Sequence, residues 1–452
     1  MKLPEKFREN IISDLGEEEA LKLFEALSTP PPVSIRLNPH KQTDIPFPSK
    51  PVPWCPEGHY LNERPIFTID PLFHAGTYYV QEASSMFLAH VLNQITDNTP
   101  VKILDLCAAP GGKSTLISSI IPEGSLLVSN EVIKTRNGIL QENLSRWGIP
   151  NFMVCCNDPR DFKKLKEYFD IIVVDAPCSG EGMFRKDPGS IQEWSEDHVE
   201  LCSSRQQRIL EDILPSLKPG GYLIYSTCTF NQTENNENIQ RISSSSNLQF
   251  VNIPLNPAWN IVASAEGYHF FPSKIQGEGF FISCLRKKGE VQDYELNTKP
   301  SKNFPFLDKK LRVKIAEWME DTADFIFYTS KDGDVYAVPE VHFKDYLFLS
   351  HSLYITYPFL HVGKFAGEKF IPSHDLALSV KIRETSLKIE INYETALAYL
   401  KKKDVSNDIL ENEVKDGWLL LCFKEKPIGW VKVIGNRVNN YYPKELRIMK
   451  DF

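Results

Sequence analysis

Between Val101 and Leu285 short apolar runs alternate with helix-length segments, and this rhythm restricts the fold more than any other feature of the 452 residues. The runs Val101–Leu106, Leu126–Asn130, Phe152–Cys156, Ile171–Asp175, Tyr222–Ser226 and Phe280–Leu285 read as strands. Lys113–Ile121, Thr135–Trp147 and Glu196–Leu217 read as helices between them, and Gly220-Gly221 supplies a turn into a strand. Strands that alternate with helices imply a mostly parallel sheet covered on both faces. The predicted core is therefore a doubly wound, Rossmann-like α/β layer.

The first strand runs into Asp105-Leu106-Cys107-Ala108-Ala109-Pro110-Gly111-Gly112-Lys113-Ser114. Small residues and paired glycines at a helix start let backbone N–H groups approach a ligand closely. The Gly-Lys-Ser ending suggests a nucleotide-triphosphate loop, but that motif needs glycine where Cys107 stands. The dinucleotide pattern G-x-G-x-x-G is absent as well. Glu131 ends the next strand about 20 residues on, where a carboxylate binds ribose hydroxyls, and Asp158 after the third strand is set to meet an adenine edge. Either acid can instead be a plain strand-end cap; together with the loop they favour a nucleoside cofactor.

Asp175-Ala176-Pro177-Cys178-Ser179-Gly180 leaves the fourth strand, and Ser226-Thr227-Cys228-Thr229 leaves the fifth. Ligands of open α/β sheets bind outside the carboxyl ends of the strands, so both thiols are expected in one crevice with the glycine loop. Asn231 followed by Glu234 resembles a capping box and predicts a helix starting just after Cys228. Cys155, Cys156, Cys202, Cys284 and Cys422 read as small core residues. Nine cysteines without C-x-x-C spacing indicate neither a disulfide framework nor a zinc site, so no metal is expected.

Residues 1–28 read as an amphipathic helix closed by Pro30-Pro31-Pro32, within an N-terminal module over 1–75. The core is expected over 76–289. Past it, Lys287-Lys288-Gly289 and the polar run to Asn303 read as a linker; an α+β domain is expected over 290–390 and a basic, aromatic end over 391–452. The chain's net charge of −8 speaks weakly against nucleic acid, yet between Phe423 and Lys450 seven basic residues face only Glu425 and Glu445. No apolar run approaches the roughly 18 residues of a membrane span, and the start lacks a signal-peptide layout, so a cytoplasmic monomer away from membranes is expected.

The loop 105–113, Asp175-Ala-Pro-Cys178-Ser-Gly and Ser226-Thr-Cys228-Thr resemble the motifs of the Nop2/Sun family of RNA cytosine-C5 methyltransferases. Ser34-Ile-Arg-Leu-Asn38, Tyr79-Val-Gln-Glu-Ala-Ser-Ser85, Gly182-Met-Phe-Arg-Lys-Asp-Pro188 and Gly277-Glu-Gly-Phe-Phe281 are similar to its bacterial, ribosomal-RNA-modifying branch. The segment from Gly429 to Leu446 resembles that branch's PUA-like tail. The resemblance implies S-adenosylmethionine as cofactor, held by Cys107, Ala108, Ala109, Pro110, Gly111, Gly112, Lys113, Glu131, Asp158 and Asp175. It implies Cys228 as nucleophile and Cys178 as the group that assists release. Carbon 5 of cytosine is a poor nucleophile until a thiolate adds at carbon 6, and Asp175, if protonated, suits an acid near N3. Arg185 and Lys186 would clamp the target nucleotide's phosphate, which puts Lys186 with the catalytic set. Further RNA contacts are expected from Arg36, Trp430, Lys432, Arg437, Tyr442 and Lys444, with ribosomal RNA or the small subunit as partner. One departure is Val438-Asn439, where the branch usually has Leu-Lys, so a weaker phosphate contact or a different choice of RNA is expected there.

Overall fold

A computed structural model describes residues 2–45, 47–290, 298–384, 387–407 and 416–449. Residues 291–297 of the expected linker and Lys450 of the basic end lie outside the described residues.

The expected single N-terminal helix is two, α1 (Glu5–Leu15) and α2 (Glu17–Leu27), broken at Gly16 with φ 79°. That left-handed turn is open to glycine, and Glu17, Glu18 and Glu19 then sit favourably in the first turn of α2. Phe7, Ile11, Leu23, Phe24 and Leu27 pack on Phe184, Trp194 and Phe230, so the helix pair rests on the loops that follow the two cysteines. Strands β1 (Val33–Leu37), β2 (Ser49–Val52), β3 (Cys55–Leu61) and β4 (Tyr78–Val80) form an antiparallel sheet in the order β2-β3-β1-β4. Its fourth strand comes from beyond residue 75, after the short helix α3 (Pro71–His74).

The core strands are β5 (Lys102–Asp105), β6 (Leu126–Asn130), β7 (Phe152–Cys155), β8 (Phe169–Asp175) and β9 (Leu217–Thr227). They run parallel in the order β7-β6-β5-β8-β9, and Phe280–Lys287 adds antiparallel to β9. The direction of winding reverses between β5 and β8, the place where such sheets open a crevice. Helices α4 (Phe87–Ile95), α5 (Gly112–Ile120) and α6 (Lys134–Trp147) cover one face; Glu196–Ile213 and Asn236–Ser245 cover the other. Alternation along β8 makes both faces apolar: Ile171 and Val173 join one core, Ile172 and Val174 the other.

Past the core, Phe325–Thr329, Asp334–Pro339, Leu360–Ala366 and Lys369–Pro372 form a four-stranded sheet. Ile355–Pro358 of the same region instead pairs antiparallel with β7 and closes that edge of the core sheet. A last sheet combines Lys388–Glu390, Asp416–Phe423, Lys426–Ile434 and Arg437–Asn440 around the helix Tyr393–Leu400. Among the described residues no helix is long and apolar enough to cross a membrane.

Candidate active site

The loop after β5 is shaped by its neighbours. Gly111 has φ 111°, and a Cβ there would stand 3.3 Å from both Asn143 and Leu140. Asn143 Nδ2 donates to the Pro110 carbonyl at 2.6 Å and Arg136 Nη2 to the Ala109 carbonyl at 2.8 Å, so α6 grips the loop from one side. Beneath it Asp105 is sealed from solvent, bonded by Ser114 Oγ at 2.6 Å, with its second oxygen unpartnered among the described residues. Burial pushes this carboxyl up to about 7. No side chain caps α5, so the first-turn N–H groups of its Gly112-Lys113 end are open to an anionic or polar ligand.

Glu131 is buried; one oxygen accepts from Ile133 N at 2.9 Å and the other has only Arg136 Nη1 at 3.5 Å. Asp158 accepts from Arg160 N at 3.1 Å and caps the turn Pro159–Lys164. Both acids are therefore strand-end caps, each using one oxygen in that way. Lys113 reaches back across the crevice to Asp175 Oδ2 at 2.8 Å, and Ser226 Oγ donates to Asp175 Oδ1 at 2.8 Å. Asp175 thus joins the glycine loop after β5 to the end of β9.

The two cysteines emerge side by side. Cys178 Sγ and Cys228 Sγ are 3.0 Å apart, and Cys228 N–H donates to Cys178 Sγ at 3.3 Å. All nine cysteines are free thiols. The Cys178 thiol is pushed well up, first by its bond to Cys228, then by burial and the charges of Cys228 and Glu234. Adjacent parallel strands put the loops together: Asp175 stands in register with Ser226.

The helix expected just after Cys228 begins at Asn236, so the thiol is not at a helix N-terminus. Asn231 Oδ1 does accept from Glu234 N at 2.9 Å, but the reciprocal half of the box is missing. Asn231 N donates to Glu181 Oε2, while Glu234 turns its carboxylate to Ser179 N and Gln206. Sequence reasoning gave Glu181 no role and Glu234 only that of a helix cap, although each lies within six residues of Cys178 or Cys228.

Several expected RNA contacts are corrected by burial. Arg36 is inside the molecule: Nε donates to Gln81 Oε1 at 2.8 Å, Nη2 to Thr115 Oγ1 at 2.6 Å, and its guanidinium lies over Trp147. It braces the first turns of α5. Arg185 is equally enclosed, paired with Glu278 at 2.8 Å and bonded to the Gly277 carbonyl, leaving only Lys186 of that pair exposed. Trp430 is buried and donates from Nε1 to the Ser373 carbonyl at 2.8 Å; Tyr442 is buried with its hydroxyl 3.0 Å from His74 Nδ1. Arg437 and Lys444 are exposed. Lys432 Nζ lies 5.2 Å over the ring of Trp418, which meets Tyr441 edge-on; Trp418 had escaped the sequence reading. Asn439 donates to the Lys432 carbonyl at 3.1 Å. Among the described residues no cluster of histidine, cysteine and acidic side chains is placed to hold a metal.

Comparison with known proteins agrees along the whole chain. Residues 89–286 match the family model of the 16S rRNA methyltransferase RsmB/F. Residues 3–83 match the N-terminal domain of 16S rRNA methyltransferase RsmF, and 386–448 its PUA domain. The ribosomal RNA small subunit methyltransferase F of Shewanella loihica is 31% identical over 99% of this chain and 96% of its own. That of Cronobacter sakazakii is 30% identical over 88% of this chain and 84% of its own. Among solved structures, a methyltransferase homolog from Pyrococcus horikoshii is 29% identical, with TM-score 0.55, over 63% of this chain and 95% of that one. NSun6 from the same organism, solved with SFG, shares the fold at TM-score 0.54 over 64% of this chain and 99% of its own, with 22% identity. On these grounds the chain belongs to the ribosomal RNA small subunit methyltransferase F family.

Proposed function

We propose that this protein methylates carbon 5 of a cytosine in small-subunit ribosomal RNA through a covalent bond between Cys228 and carbon 6. The observation that carries the reading is the pair of free thiols 3.0 Å apart at adjacent strand ends, next to the Asp175–Lys113 ion pair. Methyl transfer to an amine needs no thiol, whereas carbon 5 must first be activated by one.

The residues present fit S-adenosylmethionine. The uncapped start of α5, the tight approach allowed at Gly111, and the Glu131 carboxylate at the end of β6 form a donor and acceptor set for a nucleoside with an amino-acid tail. When bound, this cofactor supplies an electrophilic methyl group on a sulfonium sulfur.

The Cys228 thiolate bonds to carbon 6, the ring's π pairs shift toward N3, and N3 takes a proton that Asp175 relays from the Lys113 ammonium. Carbon 5, so activated, would take the methyl group that the bound cofactor supplies, the electron pair of the broken methyl–sulfur bond being left with the cofactor. With Cys228 bonded to carbon 6, the hydrogen bond that chiefly raises the Cys178 thiol is gone; Cys178 gives its proton to water and, as a thiolate, accepts the carbon-5 proton. The freed pair restores the C5=C6 double bond, Cys228 departs with the C6–S pair, and the N3 proton returns through Asp175 to Lys113. The target base must leave its stack to reach the crevice.

Denaturing gels of full-length protein with small-subunit RNA from cells lacking it test the roles. Cys178→Ala is expected to accumulate a protein–RNA adduct, because addition proceeds and release stalls. Cys228→Ala is expected to form none. The reversed pattern would overturn the assignment of roles, and an active Cys228→Ala would overturn the covalent route.

A further inference from the structure

The loops that carry the two cysteines are tied to one another by carboxylates that cross between them. Glu181, three residues after Cys178, reaches into the Cys228 loop: its Oε2 accepts from Phe230 N and Asn231 N, both at 3.0 Å. Its Oε1 accepts from Trp194 Nε1 at 2.9 Å and Asn231 Nδ2 at 3.1 Å. Glu234, six residues after Cys228, reaches the other way: its carboxylate accepts from Ser179 N at 3.0 Å, Gln206 Nε2 at 2.7 Å and Asn231 Nδ2 at 2.8 Å. Both acids are buried, at 1% and 0% exposure. Gly182 N also donates to the Cys228 carbonyl at 2.9 Å, and a Cβ on Gly182 would stand 2.8 Å from that oxygen.

We propose that Glu181 and Glu234 form a crossed clamp of positioning residues, Glu181 setting Cys228 for attack and Glu234 setting Cys178 for release. The inference rests on the reaction proposed above and assigns residues that the cysteine motifs leave out. A buried carboxylate is costly unless its oxygens are filled by donors. The N–H donors named above fill both oxygens of each acid, which an ionised carboxylate accepts and a glutamine amide does not. The N–H groups so held are those next to the sulfurs: Ser179 follows Cys178, and Phe230 is two residues past Cys228. A displacement of about 1 Å at a reacting atom is enough to slow a reaction on the order of a hundredfold. Because the acids are crossed, the backbone N–H groups that each one holds belong to the partner cysteine's loop.

The test separates the two halves of the reaction in full-length protein with the same small-subunit RNA. Glu234→Gln is expected to keep adduct formation and raise the steady-state adduct at least tenfold over wild type, while turnover falls at least tenfold. Glu181→Gln is expected to slow adduct formation at least tenfold with no accumulation. A merely structural role would lower adduct and product together, in proportion to the folded fraction read by circular dichroism, and leave their ratio unchanged; that result overturns the clamp. Should either glutamine variant fail to fold, Trp194→Phe and Gln206→Ala remove one donor each and are expected to shift the ratio in the same opposite directions. Cys178→Ala and Cys228→Ala run alongside: if they lose the adduct pattern the reaction itself is wrong, whereas intact controls with unchanged ratios in the glutamate variants reject the clamp alone.

Discussion

The Asp175 side chain touches both the loop after β5 and the end of β9. Lys113 of the cofactor loop holds one oxygen and Ser226, two residues before Cys228, holds the other, each at 2.8 Å. A neutral amide in its place retains one acceptor for these partners but cannot pass a proton to N3. Asp175→Asn is therefore expected to lower kcat by about 10²–10⁴, the usual worth of a positioned acid. Its cofactor dissociation constant, measured calorimetrically, should move less than tenfold. A larger change in cofactor affinity with kcat intact would make Asp175 a cofactor ligand only. At this scale the sequence was informative about position: the glycine loop, Glu131, Asp175 and both cysteines stand at strand carboxyl ends, where the alternation puts them. It misled for Arg36, Arg185, Trp430 and Tyr442, whose charge or ring suggested RNA. Their burial is decided by partners far along the chain, as with Thr115 for Arg36, and a linear pattern carries no trace of such partners.

Among the elements, β1 does more than complete a peripheral sheet. It delivers Arg36 through the molecule to α5, where the guanidinium meets Thr115 Oγ1 and, at 3.4 Å, the Gly112 carbonyl. Burial lowers this guanidinium to about 10, and stacking over Trp147 at 4.5 Å shields it further. A charge-assisted hydrogen bond of this kind contributes about 1.5–3 kcal/mol. Arg36→Met is thus expected to weaken cofactor binding by about tenfold while RNA affinity, read by filter binding, stays within twofold. A loss confined to RNA affinity would restore the surface role that the sequence suggested. Element types were readable because the apolar periods are strong, and the core strands lie within a few residues of their expected places, with β9 starting earlier. The split between α1 and α2 shows what periodicity misses: Leu21 falls on the exposed side, and only the turn at Gly16 brings Leu23 and Leu27 onto the same core as Phe7.

In the whole molecule the units interlock more than a linear division suggests. Ile355–Pro358 completes the catalytic sheet at β7, a pairing with no local signature because its partner lies some 200 residues upstream. The junction of the N-terminal, central and C-terminal units surrounds a cavity of about 580 Å³ lined by His74, His361, His374, Arg146 and Tyr442. Burial draws His74 and His374 down to about 4, and His269 in the core likewise. An unfolded histidine takes up its proton near 6.5. Between about pH 6.5 and 4 the unfolded chain therefore binds protons that the native one refuses, so this stability is whole above the window and lost as pH falls through it. At pH 5 each such histidine has given up roughly 2 kcal/mol. His361 opposes the trend: burial lowers it, but Asp375 and Asp334 outweigh that and raise it, so its contribution is present in acid and fades as pH rises. Asp105, raised to about 7, likewise gains stability as pH falls, but three histidines at about 4 outweigh it and His361, so the urea midpoint is expected to fall between pH 7.5 and pH 5. Replacing both His74 and His374 by glutamine is expected to flatten or reverse that slope. A double variant with the wild-type slope would place the acid sensitivity outside this junction.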